Sequence, residues 1–196
     1  AGRDGEPAEA WMTYGLQDIA LQRARIDESE APPEIKRLEA QKLTALLTYC
    51  EAPRCRRTVL LDYFGETSGP CGNCDVCLNP PELFDGTVAA QKALSAAWRT
   101  GQRFGGGHLI DILLGKATEK ITRFGHDRLP TFGVGKDIDE HAWRGILRQL
   151  VAAGLLHPDL TEYGALKLTD AARPVLKGEQ SVQLRRPSKP AKSRKE

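Results

Sequence analysis

The chain has 196 residues, enough for two small folded units, with 40% hydrophobic and 28% charged residues and a formal net charge of +2. No run approaches the ~20 apolar residues a bilayer span needs and no apolar leader opens the chain, so nothing points to a membrane or to secretion, and a reducing cytoplasmic setting is expected. The charge is uneven: residues 181–196 hold six Lys or Arg against one acid, leaving 22 basic and 25 acidic residues in positions 1–180, so any affinity of the body for a polyanion must come from local patches.

In chain order, the Gly-rich start Ala1–Gly5 reads as a turn and Ala8–Tyr14 as a short strand. A fold does not normally begin with its turn, so the pattern predicts a longer protein on the amino-terminal side. From Pro33 the apolar positions Ile35, Leu38, Leu43, Leu46, Leu47 and Cys50 keep helical spacing, which predicts an amphipathic helix ending near Pro53. A second short helix is expected over Arg56–Tyr63, closed at Gly65, followed by a cysteine-rich loop from Gly69 to Pro81.

After Pro80-Pro81 the composition changes, which places the domain seam within 79–86. Helical patterns follow at about 87–99, 107–114 and 139–153. In the last, Trp143, Ile146, Leu147, Leu150 and Val151 mark one face, Asp139 and Glu140 suit the positive end of the helix dipole, and Gly154 closes it. Leu155–His157 and Ala165–Leu168 read as a hairpin around Pro158–Gly164, and a final helix is expected from Thr169-Asp170. The fold class is therefore mainly α with a small β hairpin: a helical cysteine-bearing subdomain followed by a winged helix, the helix-turn-helix variant with a β wing. Beyond about Gln180 the Pro-, Ser- and Lys/Arg-rich tail is expected to be disordered or a linker.

Five cysteines in a reducing setting point to metal before disulfides. Cys71, Cys74 and Cys77 lie within seven residues, and two-residue spacers let a tight turn aim their sulfurs at one point, with Gly72 and Asn73 tolerating positive φ. Cys50 continues the apolar stripe of the preceding helix, whereas Cys55 lies past Pro53 among Arg54, Arg56 and Arg57, so Cys55 is the expected fourth ligand. Four thiolates close a tetrahedral sphere, which predicts structural Zn2+ rather than a catalytic metal. His108, His126, His141 and His157 lack ligand spacing and are read as structural or surface groups, His126 with Asp127 as an orienting pair. Arg144 and Arg148, four residues apart and opposite Trp143 and Leu147, are expected to point outward toward DNA phosphates.

The run from Cys55 to Glu66 (CRRTVLLDYFGE) and that from Pro70 to Cys77 (PCGNCDVC) closely resemble the zinc-binding subdomain of RecQ helicases. Phe124–Asp127 (FGHD) and Phe132–Asp137 (FGVGKD) resemble the adjoining winged helix, and the opening AGRDG is similar to the end of helicase motif VI. This resemblance implies a division into 1–20, the end of the second helicase core domain; 21–80, the zinc-binding subdomain; 81–180, the winged helix; and 181–196, a basic tail. It implies a parent enzyme that unwinds DNA 3′ to 5′ with ATP and Mg2+ in recombination and repair. Arg3 then matches the second motif VI arginine, idle here because the sequence holds no G-x-x-x-x-G-K-[ST] loop to cradle ATP. Lys120, Arg123 and Lys136 are implied as further DNA contacts, and Tyr163 as the wing aromatic that stacks on a terminal base pair. Implied partners are duplex, forked or junction DNA, and repair proteins such as single-strand-binding protein. The chain is expected to act as a monomer at the nucleoid. The competing expectations are a zinc-containing winged-helix transcription regulator and a protein–protein adaptor.

Overall fold

The computed structural model describes residues 10–159 and 164–186, and the chain folds as a helical unit followed by a winged helix. In the first unit, α1 (Leu16–Glu28) and α2 (Pro33–Glu51) pack side by side across the short connection 29–32. Pro33 opens α2, where its missing N–H costs no hydrogen bond. Then come α3 (Arg56–Tyr63), closed by Gly65 at φ +79°, and the four-residue α4 (Asp75–Leu78), whose first turn is capped by the Cys74 sulfur. Few apolar side chains are buried here: Ile19, Ala20, Leu47, Ala52, Cys55 and Val76.

The second unit contains β1 (Leu83–Asp85), α5 (Thr87–Arg99), α6 (Gly106–Leu114), α7 (Glu119–Arg123), a 3-10 turn (His126–Arg128) and α8 (Glu140–Ala152). The chain continues through β2 (Leu156–Asp159), β3 (Ala165–Leu168), α9 (Ala172–Leu176) and β4 (Gln183–Arg185). An alanine-rich face of α5 lets α6 and α8 approach closely, and Leu94, Leu109, Ile110, Leu113, Trp143, Ile146, Leu147 and Leu150 fill the space between them. Trp143 is fully buried, and its indole N–H donates to the Gly135 carbonyl at 2.9 Å. A Cβ on Gly135 would sit 2.6 Å from the Trp143 ring, so that position accepts only glycine without repacking. The wing is the antiparallel β2–β3 hairpin, with His157 opposite Lys167 and Pro158 opposite Leu166.

Four features depart from the sequence expectations. Ala10–Tyr14 is not a strand, and Ala8 and Glu9 lie outside the described residues; Tyr14 instead donates its phenol to Glu51. Helix α1 was not anticipated, because it buries only Ile19 and Ala20 and so carries almost no apolar stripe. The tail is ordered further than expected: β4 pairs antiparallel with β1, Leu184 is buried opposite Phe84, and the Gln149 side chain exchanges two hydrogen bonds with the Arg185 backbone. Between α6 and α8 the chain forms α7 and the 3-10 turn, both too short for periodicity to reveal.

The two units meet where α1 packs on β2 and α2 on α8. At the end of α2 the Glu51 side chain, only 9% exposed, receives Tyr14 and Arg185, and Arg148 lies 3.6 Å away. Burial and this carboxylate together push the Tyr14 phenol pKa up.

Candidate metal centre and nucleic-acid interface

Each cysteine is placed by a chain reversal. Proline 53 ends α2 and turns the chain so that Cys55 caps α3, while Gly72, at φ +73°, allows the tight turn that carries Cys71, Cys74 and Cys77 back to it. The sulfurs of Cys55, Cys71, Cys74 and Cys77 all lie within 4.8 Å of one another, and Cys50 is not in this group. Tetrahedral zinc with Zn–S of ~2.3 Å needs sulfurs ~3.8 Å apart, which this spacing meets with little adjustment.

The electrostatics also fit a dication. Backbone N–H groups of Thr58 and Cys71 pull the Cys55 thiol down to about 5, the second donating to Cys55 Sγ at 3.2 Å. Burial opposes ionisation of Cys74, yet the N–H groups of Arg56 and Cys77 hold it below the usual thiol range. Cys77 moves the other way, to about 11: the Gly72 N–H favours its thiolate, but crowding by Cys74, Cys55 and Cys71 outweighs it. Two sulfurs disposed to ionise, crowded against one that resists, is the balance a bound cation relieves. Burial, with a smaller push from the Glu51 carboxylate, raises Cys50 against the pull of Arg56 and Arg185.

Arg56 was missed as more than a surface cation. Its guanidinium grips Asp75 through two bonds of 2.9 and 2.8 Å and donates to the carbonyls of Tyr49, Cys50 and Ala52 at the end of α2. One side chain thus ties the cysteine turn to the helix terminus, satisfies carbonyls left without intrahelical donors, and keeps the Asp75 carboxyl below its usual range. Only its position one residue after a ligand hinted at this.

The basic residues divide into groups. Lys120 and Arg123 lie exposed on α7 beside the half-exposed Phe124, and the Lys120 ammonium sits 5.6 Å over the Phe104 ring. Lys136 is exposed, its stem lying across Gly115 and Gly133. Arg144 is exposed on α8 and pairs with Glu140 at 2.6 Å. Arg148 departs from the outward position expected for it: it is 31% exposed and lies beside Glu51 at the junction of the two units. Tyr163 and Arg3 lie outside the described residues. Beneath α7, His108 Nε2 and His126 Nδ1 are 2.8 Å apart, and Phe104 stacks on His108. Burial lowers both imidazoles, His108 to about 4, so they bond as neutral rings. Eighteen residues of separation hid this pair, and spacing alone could not have found it.

The RQC domain model matches residues 80–193 and the RecQ zinc-binding model residues 16–78. The chain is 42% identical over 190 residues to the ATP-dependent DNA helicase RecQ of Pasteurella multocida, covering 95% of this chain and 30% of that protein. It is 41% identical over 190 residues to the helicase of the same name from Haemophilus influenzae, with the same coverage of each. For that of Bacillus subtilis it is 31% identical over 183 residues, 93% of this chain and 31% of the relative. The chain therefore spans about three-tenths of the length of these relatives.

Proposed function

This chain belongs to the RecQ family, whose zinc-binding and RQC regions it carries, and from that premise we propose that it grips duplex or forked DNA and presents it to an ATP-driven 3′ to 5′ unwinding motor in the longer protein. A stand-alone transcription regulator is not favoured, since the matched relatives bear helicase names. The division follows 1–20, 21–80, 81–180 and 181–196, with the ordered strand β4 joined to the winged helix.

In this reading Cys55, Cys71, Cys74 and Cys77 hold Zn2+, which supplies a structural crosslink and no reaction chemistry because no coordination position is left open. DNA phosphates are met by Lys120, Arg123, Lys136 and Arg144, while Arg148 joins the two units through Glu51. Tyr163 stacks at the duplex end from the wing. Arg3 is the motif VI arginine, and it has no role without ATP and Mg2+ bound by the motor, so the chain alone hydrolyses no ATP. The protein works as a monomer at the nucleoid and meets single-strand-binding protein and other repair proteins. Among the described residues no helix is long and apolar enough to cross a membrane.

The observation that carries this reading is the orientation of α8: Trp143, Ile146, Leu147 and Leu150 face the core while Arg144 stays exposed. A titration of the chain with duplex, forked and single-stranded DNA over a range of salt tests it. Four phosphate contacts predict a slope of log affinity against log salt of about −3 to −4 on duplex. A flat salt dependence would contradict the reading and favour a protein–protein adaptor.

A further inference from the structure

We propose that Lys116 and Arg144 form a two-armed clamp for a single DNA phosphodiester, and that the carboxylate of Glu140 is its built-in competitor. The proposal rests on the DNA-binding reading above and adds to it a residue, Lys116, that no sequence pattern singled out.

The geometry is that of two cations converging on one small anion. Lys116 Nζ lies 2.6 Å from Glu140 Oε2, and an Arg144 guanidinium nitrogen lies 2.6 Å from Oε1. Each oxygen takes one cation, the arrangement that the two non-bridging oxygens of a phosphodiester offer with the same unit charge. The cations come from separate, well-fixed elements. Lys116 follows Gly115, the left-handed residue that ends α6, and its own N–H is held by the Asp111 carbonyl at 2.8 Å. Gly115 in turn abuts Gly133 so closely that a Cβ there would meet backbone at 3.1 Å, with the Lys136 side chain closer still. Arg144 stands one helical turn beyond Glu140 on α8, whose inner face is locked into the core around Trp143.

Surrounding groups point the same way. Lys136 leans over the same Gly115, so a third cation flanks the clamp. Asp111, 3.8 Å from Lys116, is the only other carboxylate within ion-pair distance of either arm among the described residues. All three members of the cluster are about half exposed, so a phosphate can reach the arms from solvent. Glu140 is held at about 2, hydrogen-bonded to Lys116 and Arg144, so it stays charged throughout the neutral range and competes as a full anion. Exposed ion pairs of this kind contribute little to folding, so displacing Glu140 costs the fold little while its charge opposes every phosphate that approaches.

The test compares four variants of this chain with the parent chain on one duplex across a salt series. Glu140→Gln frees both cations and is expected to tighten binding about three- to tenfold at low salt, with the salt slope steeper by about one. Glu119→Gln removes the same charge from α7, where it pairs with neither arm, and is expected to change affinity less than twofold. In the Lys116→Ala/Arg144→Ala background, adding Glu140→Gln is expected to give no gain, because nothing is left to free. Inorganic phosphate at matched ionic strength is expected to weaken binding of the Glu140→Gln chain more than that of the parent. An unchanged affinity for Glu140→Gln, or an equal gain in the Lys116→Ala/Arg144→Ala background, would overturn the clamp even if the parent chain binds DNA with the expected slope. A parent chain that does not bind DNA would instead overturn the reading on which the clamp rests.

Discussion

The zinc-binding unit and the winged helix meet the same requirement by different means. The winged helix closes around a continuous apolar core, with Leu94, Leu113, Trp143 and Leu147 inaccessible to solvent. The cysteine-bearing unit buries little beyond Ile19, Leu47 and Val76, and leaves Leu38, Leu46, Leu60, Tyr63 and Phe64 largely exposed. What its core lacks is made up by a point of convergence, four sulfurs and one arginine fork, that ties α2, α3 and the cysteine turn together. Small units of this kind depend on a metal because the area available for hydrophobic burial is too small.

The contrast can be broken most sharply at a ligand. Cys71→Ser, or chelation of the metal, is expected to unfold residues 33–78 while α5, α6 and α8 stay protected. Hydrogen exchange resolved along the chain reads this directly, and equal loss of protection in both units would show that they do not differ. On the other side, Trp143→Ala empties the centre of the apolar core and strands the Gly135 carbonyl, at a cost of about 3–5 kcal/mol. Chemical unfolding should show that loss in the winged helix while the metal stays bound.

Acid should separate the units by mechanism. The folded-state pKa values of His108 and His126 lie below the ordinary imidazole value, so the unfolded chain takes up protons first as pH falls. Stability from the pair is therefore complete above about pH 6.5 and is lost as pH falls toward about 4, the value for His108. The effect is on the order of 2 kcal/mol, from ~1.4 kcal/mol per pKa unit with allowance for partial exposure. Imidazole proton shifts followed by NMR should show His108 titrating well below 6, and a normal midpoint would remove this contribution. The smallest expected effect is at Arg56: Arg56→Lys keeps the charge but loses the fork, costing the first unit about 1–2 kcal/mol and leaving DNA affinity of the winged helix within twofold.

The same contrast explains what could be read from sequence. Regular amphipathic helices were legible because burial imposes periodicity: α2, α3, α5, α6 and α8 lie within a residue or two of their expected limits. Cys71, Cys74 and Cys77 were legible because local spacing constrains a metal turn, and Cys55 because Cys50 continues the apolar stripe of α2. What escaped depends on partners distant in sequence. Strand β4 exists because β1, about a hundred residues earlier, offers an edge, and its basic composition looked like a linker. Helix α1 is a packing partner for α2 and β2 with few apolar residues of its own. Arg148 looked outward by helical angle alone, but the end of α2 lies against that face of α8 and places Glu51 beside it. Lys116 and Glu140 lay in plain view, yet no pattern connects a residue after α6 with one at the start of α8.

The most direct test of the whole account is the metal content of the purified chain, measured by elemental analysis together with thiol titration before and after chelation. One zinc per chain, with four thiols becoming reactive as it leaves and Cys50 behaving independently, is the predicted result. A chain that keeps α2 and α3 folded with no metal bound, or that loses its zinc with fewer than four thiols released, would contradict it.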